Sequence, residues 1–179
     1  MTYPVFASGD VLNASDMNAV GLWLVKTQTI GSAVSSIAVT SVFSSDYDNY
    51  KIIVSGGAGS TSADLRLQLG ATTTGYYAGY NRVQYSPLVQ SGASDINGAN
   101  FSSIGTMNTN GLIICCDVIS PNLAKNTFVT GGFAENATGG RAYNFSGFLN
   151  DTTQYTGFTI LVGSGTATGG TIKVYGYRN

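Results

Sequence analysis

The sequence predicts an all-β protein, a jelly-roll-like antiparallel β-sandwich preceded by a short N-terminal arm and helix. After residue 21 the chain consists of short runs rich in β-branched and aromatic residues, and clusters of Gly, Ser, Thr and Asn separate these runs. No stretch after Val20 keeps apolar residues at helical spacing. Hydrophobic residues form 43 % of the chain, which argues against disorder and for a packed core.

The N-terminal segment 1–21 differs from everything that follows it. Pro4 favours an extended chain before it. Asn13 is a good N-cap and forms a capping-box-like pair with Asp16, so we predict a helix of about two turns over 14–20, ended by Gly21. A helix this short is not stable alone, so we expect it to pack against its own domain or another chain.

The β-sandwich domain is predicted to span 22–179 and to contain about eleven strands. The clearest alternation lies at 64–69, where Leu65, Leu67 and Leu69 are expected to face a core. Asp64, Arg66 and Gln68 are expected to face out. Eight or more strands in one domain favour a two-sheet jelly roll. The longest predicted loop covers 86–100. The predicted strands are 23–30, 34–43, 50–55, 64–69, 76–85, 101–107, 112–119, 127–133, 142–149, 158–162 and 171–177.

Composition excludes several partners. Charged residues form only 9 % of the 179 residues, against roughly 25 % in an average domain. The formal net charge is −1 and basic residues do not cluster, which argues against nucleic-acid binding. The sequence has neither an apolar run of membrane-spanning length nor a readable signal peptide, so we expect synthesis in the cytoplasm and no membrane span.

The sequence predicts no catalytic residue, metal site or cofactor. The chain has no histidine, which excludes Ser-His-Asp and Cys-His catalysis and histidine-containing zinc sites. Asp46 and Asp48 are interpreted as turn residues rather than metal ligands. Cys115 and Cys116 are adjacent on a predicted strand and should point to opposite faces. We interpret them as two small buried hydrophobic residues; an inter-chain disulfide or a reactive thiol is the alternative.

One aromatic cluster is the best candidate binding surface. It consists of Tyr76, Tyr77, Tyr80 and Tyr85 with Arg82 among them. On a strand, Tyr76 and Tyr80 share one face while Tyr77 and Tyr85 share the other. Aromatic rings beside polar groups suit either a sugar site or a subunit interface. We favour the interpretation in which one face is core and the other packs against another subunit.

Four segments carry a resemblance to a known family. The phrase at 6–20, FASGDVLNASDMNAV, resembles a phrase at the head of many tailed-bacteriophage virion proteins. The segments 43–54 and 65–70 look like the β-sandwich domain of phage tail fibres and related capsid appendages. The closing segment 169–178 is similar to the last strand of that domain type. The similar segments touch most of the chain, but only as short phrases.

The resemblance implies a non-enzymatic structural protein of the virion, a homotrimer that docks on other virion proteins through its N-terminal arm. It leaves three roles open. The chain could be a short tail fibre or receptor-binding protein that binds a host surface glycan, or it could be a capsid fibre. It could also be a capsid decoration (cement) protein that stabilises the head. A glycan-degrading tailspike would need a pair of carboxylates in a groove. The candidate docking residues are Tyr3, Pro4, Val5, Phe6, Val11, Leu12 and Met17.

Overall fold

The residues that the structure describes form an all-β fold whose strands pair in antiparallel fashion, as the sequence predicts. The structure is a computed structural model that describes Gly9, residues 21–136 and residues 139–177. The predicted helix at 14–20 and all seven candidate docking residues lie outside the described residues. In the part of the chain that the structure describes, no helix is long and apolar enough to cross a membrane.

Fourteen strands are present in the described residues. Three of them were not predicted: the two-residue strands β4 and β13, and the ten-residue strand β7. The strands are β1 (Leu22–Thr29), β2 (Ser36–Val39), β3 (Asn49–Gly56), β4 (Ala58–Gly59), β5 (Ala63–Leu69), β6 (Tyr76–Gln84), β7 (Val89–Gly98), β8 (Phe101–Asn108), β9 (Gly111–Ile119), β10 (Thr127–Glu135), β11 (Arg141–Leu149), β12 (Phe158–Val162), β13 (Ala167–Thr168) and β14 (Thr171–Tyr177).

The predicted loop at 86–100 is wrong, because β7 occupies most of it and pairs with β6. The strand lies at the end of its sheet and most of its residues are exposed. A strand with neither face buried has no need for apolar alternation, so its sequence carries no period-two signal. The strand predicted at 34–43 is shorter than expected, and only β2 forms there.

The main sheet branches at β9. One edge of β9 pairs along its length with β3. The other edge pairs with β8 through residues 111–114 and with β10 through residues 116–119. The β8 branch continues as β8-β5-β12-β2, and the β10 branch continues as β10-β11-β6-β7. On the other side, β3 pairs with β14 and β14 with β1.

The two branches face each other. They leave the same edge of β9 and diverge, yet β8 still contacts β6, β10 and β11. This gives a β-sandwich-like all-β fold in which β8 touches the inner surface of the β10 branch. Where the side chains of the two branches are large and apolar they close a core, and where they are polar they enclose the cavity described below.

Alternation along β5 and β9 builds much of the core. The prediction for β5 is confirmed, because Leu65, Leu67 and Leu69 are fully buried. On β9 the even-numbered residues from Leu112 to Val118 are buried while their neighbours are more exposed. Apolar burial of this kind contributes roughly 25 cal/mol per Å².

The two cysteines point to opposite sides of β9 and are not bonded to each other. Cys116 is buried, and this burial raises the pKa of its thiol. Cys115 is half-buried. The interpretation as a small buried hydrophobic residue is therefore confirmed for Cys116, whereas for Cys115 full burial is wrong.

Candidate functional site

A cavity of about 400 Å³ lies between the β8 branch and the β10 branch. Strands β5 and β8 form one wall, and strands β6, β10 and β11 form the other. The lining is mostly polar and includes three aromatic rings. A second groove, of about 600 Å³ beside Tyr155, has no charged residue in its lining. Residues that line the first cavity include Ser62, Asp64, Tyr80, Arg82, Ser103, Thr106, Phe133, Glu135, Arg141 and Tyr143.

The register of three neighbouring strands brings six of these residues together. Side chains two positions apart share a face of a strand, so residues 80 and 82, 133 and 135, and 141 and 143 all face inward. Tyr143 lies opposite both Phe133 and Arg82. Glu135 lies opposite Arg141. The strands thus present a continuous row of aromatic and charged groups to the cavity.

Glu135 is the centre of a hydrogen-bond network. Its side chain is only 9 % exposed. Arg141 donates from Nη1 to Oε1 at 2.8 Å, and Thr106 donates from Oγ1 to Oε2 at 3.1 Å. The Tyr143 hydroxyl also donates to Oε1, at 3.3 Å. A nearly buried carboxylate needs such donors to offset its desolvation, so Glu135 fixes the positions of its partners.

Arg82 differs from the other arginines near the cavity. Arg141 pairs with Glu135 and Arg66 pairs with Asp64. Arg82 donates instead to two neutral hydroxyls, from Nε to Ser91 at 2.7 Å and from Nη1 to Tyr143 at 3.5 Å. Among the described residues it has no carboxylate partner. The cavity therefore has one positive charge that no carboxylate neutralises.

Aromatic rings pack beside these charges. The rings of Phe133 and Tyr143 are stacked with centroids 4.5 Å apart. Tyr80 is tilted against Tyr143 at 5.7 Å and is half-buried. On the opposite wall, Ser103 has a positive φ of 51°, a conformation that residues other than glycine seldom adopt. Backbone strain of this kind is often found at functional sites.

The structure separates the five residues of the predicted aromatic cluster. Tyr80 and Arg82 line the cavity. Tyr76 is fully buried and its hydroxyl accepts from the Leu69 N–H at 2.8 Å. Tyr76 therefore belongs to the core, and its burial raises the pKa of its hydroxyl. Tyr77 faces the other side of β6, and Tyr85 lies beyond the end of β6 and is 57 % exposed.

Sequence reasoning missed Arg141 and Tyr143. The signal that could have found them is the pair Gly139 and Gly140, which lies in the short turn between β10 and β11. A hairpin over this turn puts Glu135 opposite Arg141. Asp64 was predicted to face out, and it does point away from the leucine core, but the space that it faces is the cavity.

A row of apolar side chains crosses the outer face of β9, β10, β11 and β6. We call Ile119, Phe128, Phe148 and Tyr77 the outer apolar row. Each is directly opposite the next across neighbouring strands. Tyr77 and Phe148 are stacked at 5.0 Å, and Phe128 follows at 6.2 Å from Phe148. Phe128 is 47 % exposed and Ile119 is 37 % exposed.

Comparison with protein-family models, with curated proteins and with solved structures found no match to this chain. Among the described residues, no group of three or more His, Cys, Asp or Glu is placed to hold a metal ion.

Proposed function

We propose that this chain is a non-enzymatic structural protein of a tailed-bacteriophage virion, made in the host cytoplasm. In this proposal, residues 22–179 form a jelly-roll-like sandwich that assembles as a homotrimer, and residues 1–21 dock the trimer on other virion proteins. The observation that carries the proposal is the outer apolar row, a surface suited to contact between copies of the chain. The phrase at 6–20 supports the assignment to phage virions.

The outer apolar row has the properties of a subunit interface. It places three aromatic rings and an isoleucine in line across four strands. Aromatic residues are enriched at interface cores, where charged residues are depleted. The chain has only eight Lys and Arg and nine Asp and Glu, so forming a wide contact desolvates few charges.

The preferred location is a short tail fibre, acting in receptor binding, or a capsid fibre. The alternative is a capsid decoration (cement) protein that stabilises the head. The cavity favours a binding role, because a cement protein has no need for a polar cavity with an unneutralised arginine. Copy number per purified particle discriminates the two roles: a few copies support a fibre, and copies in proportion to the capsid lattice support a cement protein.

A glycan-degrading tailspike is a second candidate, because Asp64 and Glu135 line the same cavity. Glycosidases use two carboxylates on either side of the scissile bond. Here each carboxylate is engaged by a guanidinium, Asp64 by Arg66 at 2.7 Å and Glu135 by Arg141 at 2.8 Å. We therefore propose that the two acids orient arginines rather than cleave a glycosidic bond.

Deletion of residues 1–21 tests the docking role. We expect the truncated protein to fold, because the described core residues all lie between Ile30 and Val174. We also expect it to be lost from particles assembled with it, as measured by quantitative gel analysis of purified virions. The full-length protein expressed in the same way is the control. Incorporation of the truncated protein at the full-length copy number would contradict the proposal.

A further inference from the structure

We propose that the cavity between the two branches binds an acidic saccharide, whose carboxylate pairs with Arg82 and whose ring packs beside Tyr80. This inference deepens the receptor-binding form of the proposed function by naming the ligand class. The residues that line the cavity all belong to one chain, so binding can be tested on the isolated protein.

The charge balance of the cavity selects a carboxylate. Arg141 and Arg66 each pair with an acid, whereas Arg82 donates only to two neutral hydroxyls. A guanidinium has five N–H donors in a planar fork. The remaining donors suit the two oxygens of a carboxylate, which an arginine binds in bidentate fashion.

The rest of the lining selects a sugar rather than a simple anion. A phosphate monoester carries nearly two negative charges near pH 7, so Asp64 and Glu135, which line the same cavity, would repel it more strongly than a singly charged carboxylate. These acids, together with Ser103 and Thr106, suit the hydroxyl groups of a saccharide. Such a ligand combines one negative charge with many hydroxyls. A volume of about 400 Å³ falls within the range of roughly 300–1,000 Å³ that is typical of ligand sites.

The aromatic groups complete the match. The half-buried ring of Tyr80 lies on the same face of β6 as Arg82. A ring beside a charged fork can pack against the apolar face of a sugar while the fork holds its carboxylate. Arg82 is oriented by Ser91 and Tyr143, and Tyr143 is itself fixed because its hydroxyl donates to Glu135. The site is therefore organised before a ligand arrives, which reduces the entropic cost of binding.

Titration calorimetry with an oligogalacturonate of four to six units tests the proposal. The uncharged probe is the same oligomer with its carboxyl groups methyl-esterified, and sialyllactose is a second acidic probe. We expect at least one acidic probe to bind, the ester to bind at least about tenfold more weakly, and the affinity to fall as salt is raised. Binding of ester and acid with equal affinity, or no binding of either acidic probe, would overturn the proposal.

Arg82→Gln provides the matched test of the residue. We expect this variant to bind the acidic oligomer at least about tenfold more weakly. Arg82→Lys, which keeps the charge but loses the fork, should fall between the two. Lys125→Gln removes the same charge from an exposed residue of the loop before β10. Lys125 precedes Phe133, the first β10 residue that lines the cavity, by eight positions, so this variant should bind like the wild type. Thermal melting confirms that each variant is folded.

Unchanged affinity of the folded Arg82→Gln variant for the acidic oligomer would contradict the proposed site.

Chromatography of the oligomer after titration shows whether it has been cleaved, and so distinguishes failure of the binding site from failure of the proposed non-enzymatic function. If the oligomer binds through Arg82 and is cleaved, the site is supported and the non-enzymatic function is overturned. If it binds through Arg82 intact, both stand. The mass of the protein in solution and its docking on particles are measured without a saccharide, so their failure leaves the binding result unaffected.

Discussion

At the residue scale, Gly176 shows how closely the fold depends on the absence of a single side chain. A Cβ at this position of β14 would lie 2.3 Å from Cγ of Tyr47. The Tyr47 ring thus rests directly on the glycine, and it meets the ring of Tyr50 edge-on at 5.9 Å. Glycine weakens a strand in general, so its use here is explained by the close approach of the ring.

Replacing Gly176 with alanine should destabilise the protein by about 1–3 kcal/mol, because the new methyl group displaces the Tyr47 ring. Urea unfolding measures the change. Gly79→Ala is the matched control within a strand, since a Cβ at Gly79 would meet its nearest atom at 3.6 Å, an ordinary contact. Equal stability of Gly176→Ala and Gly79→Ala would contradict this account of the Tyr47 contact.

At the element scale, the strands divide into those that the sequence predicts and those that it does not. β5 was predictable because one face of the strand is fully buried. Every second residue on that face is therefore apolar, namely Leu65, Leu67 and Leu69. β7 was not, because a strand with two exposed faces needs only the backbone of β6 to form. The alternation of residues around Leu65 predicts a strand, whereas the residues from Val89 to Gly98 show no alternation that predicts one.

The branch at β9 could not be predicted from local sequence either. Its buried residues alternate as in any half-buried strand, yet its edges pair with three different strands. Which strands pair is decided by contacts distant in sequence. For the same reason the predicted cluster around Tyr76 and Tyr80 identified only part of the cavity. Glu135 and Arg141 belong to β10 and β11, which are distant from β6 in the sequence and come beside it only in the folded sheet.

The two ion pairs near the cavity should differ strongly in their contribution to stability. Glu135→Ala leaves Arg141 and Tyr143 without their acceptor in a largely buried place, so we expect a loss of about 3 kcal/mol or more. Asp64→Ala breaks a pair whose side chains are 33 % and 39 % exposed, and we expect a loss of about 0–1 kcal/mol. Urea unfolding of both variants measures the difference. A smaller loss for Glu135→Ala than for Asp64→Ala would contradict the role given to Glu135.

At the scale of the whole molecule, the low charge and the exposed apolar row support the proposed assembly. A monomer with this surface would leave Phe128 and Ile119 partly in water. Ile96, on β7 at the end of the same branch, is 80 % exposed. Closing three copies around such surfaces would remove apolar area from water and cover strand edges that otherwise promote aggregation.

Phe128→Glu places a charge in the middle of the outer apolar row, so it should dissociate the proposed trimer into folded monomers. Size-exclusion chromatography with light scattering measures the mass, and circular dichroism checks the fold. Leu88→Glu is the matched control: Leu88 is 74 % exposed, outside the row, and its replacement should leave the trimer intact. A trimeric Phe128→Glu variant would exclude the row as the interface.

The proposed homotrimer is tested most directly by the mass of the wild-type protein in solution at micromolar concentration. Native mass spectrometry or light scattering gives it without labels or partners. We expect three times the chain mass of 18.6 kDa. A stable monomer under these conditions would contradict the proposal that the chain assembles through its outer apolar row.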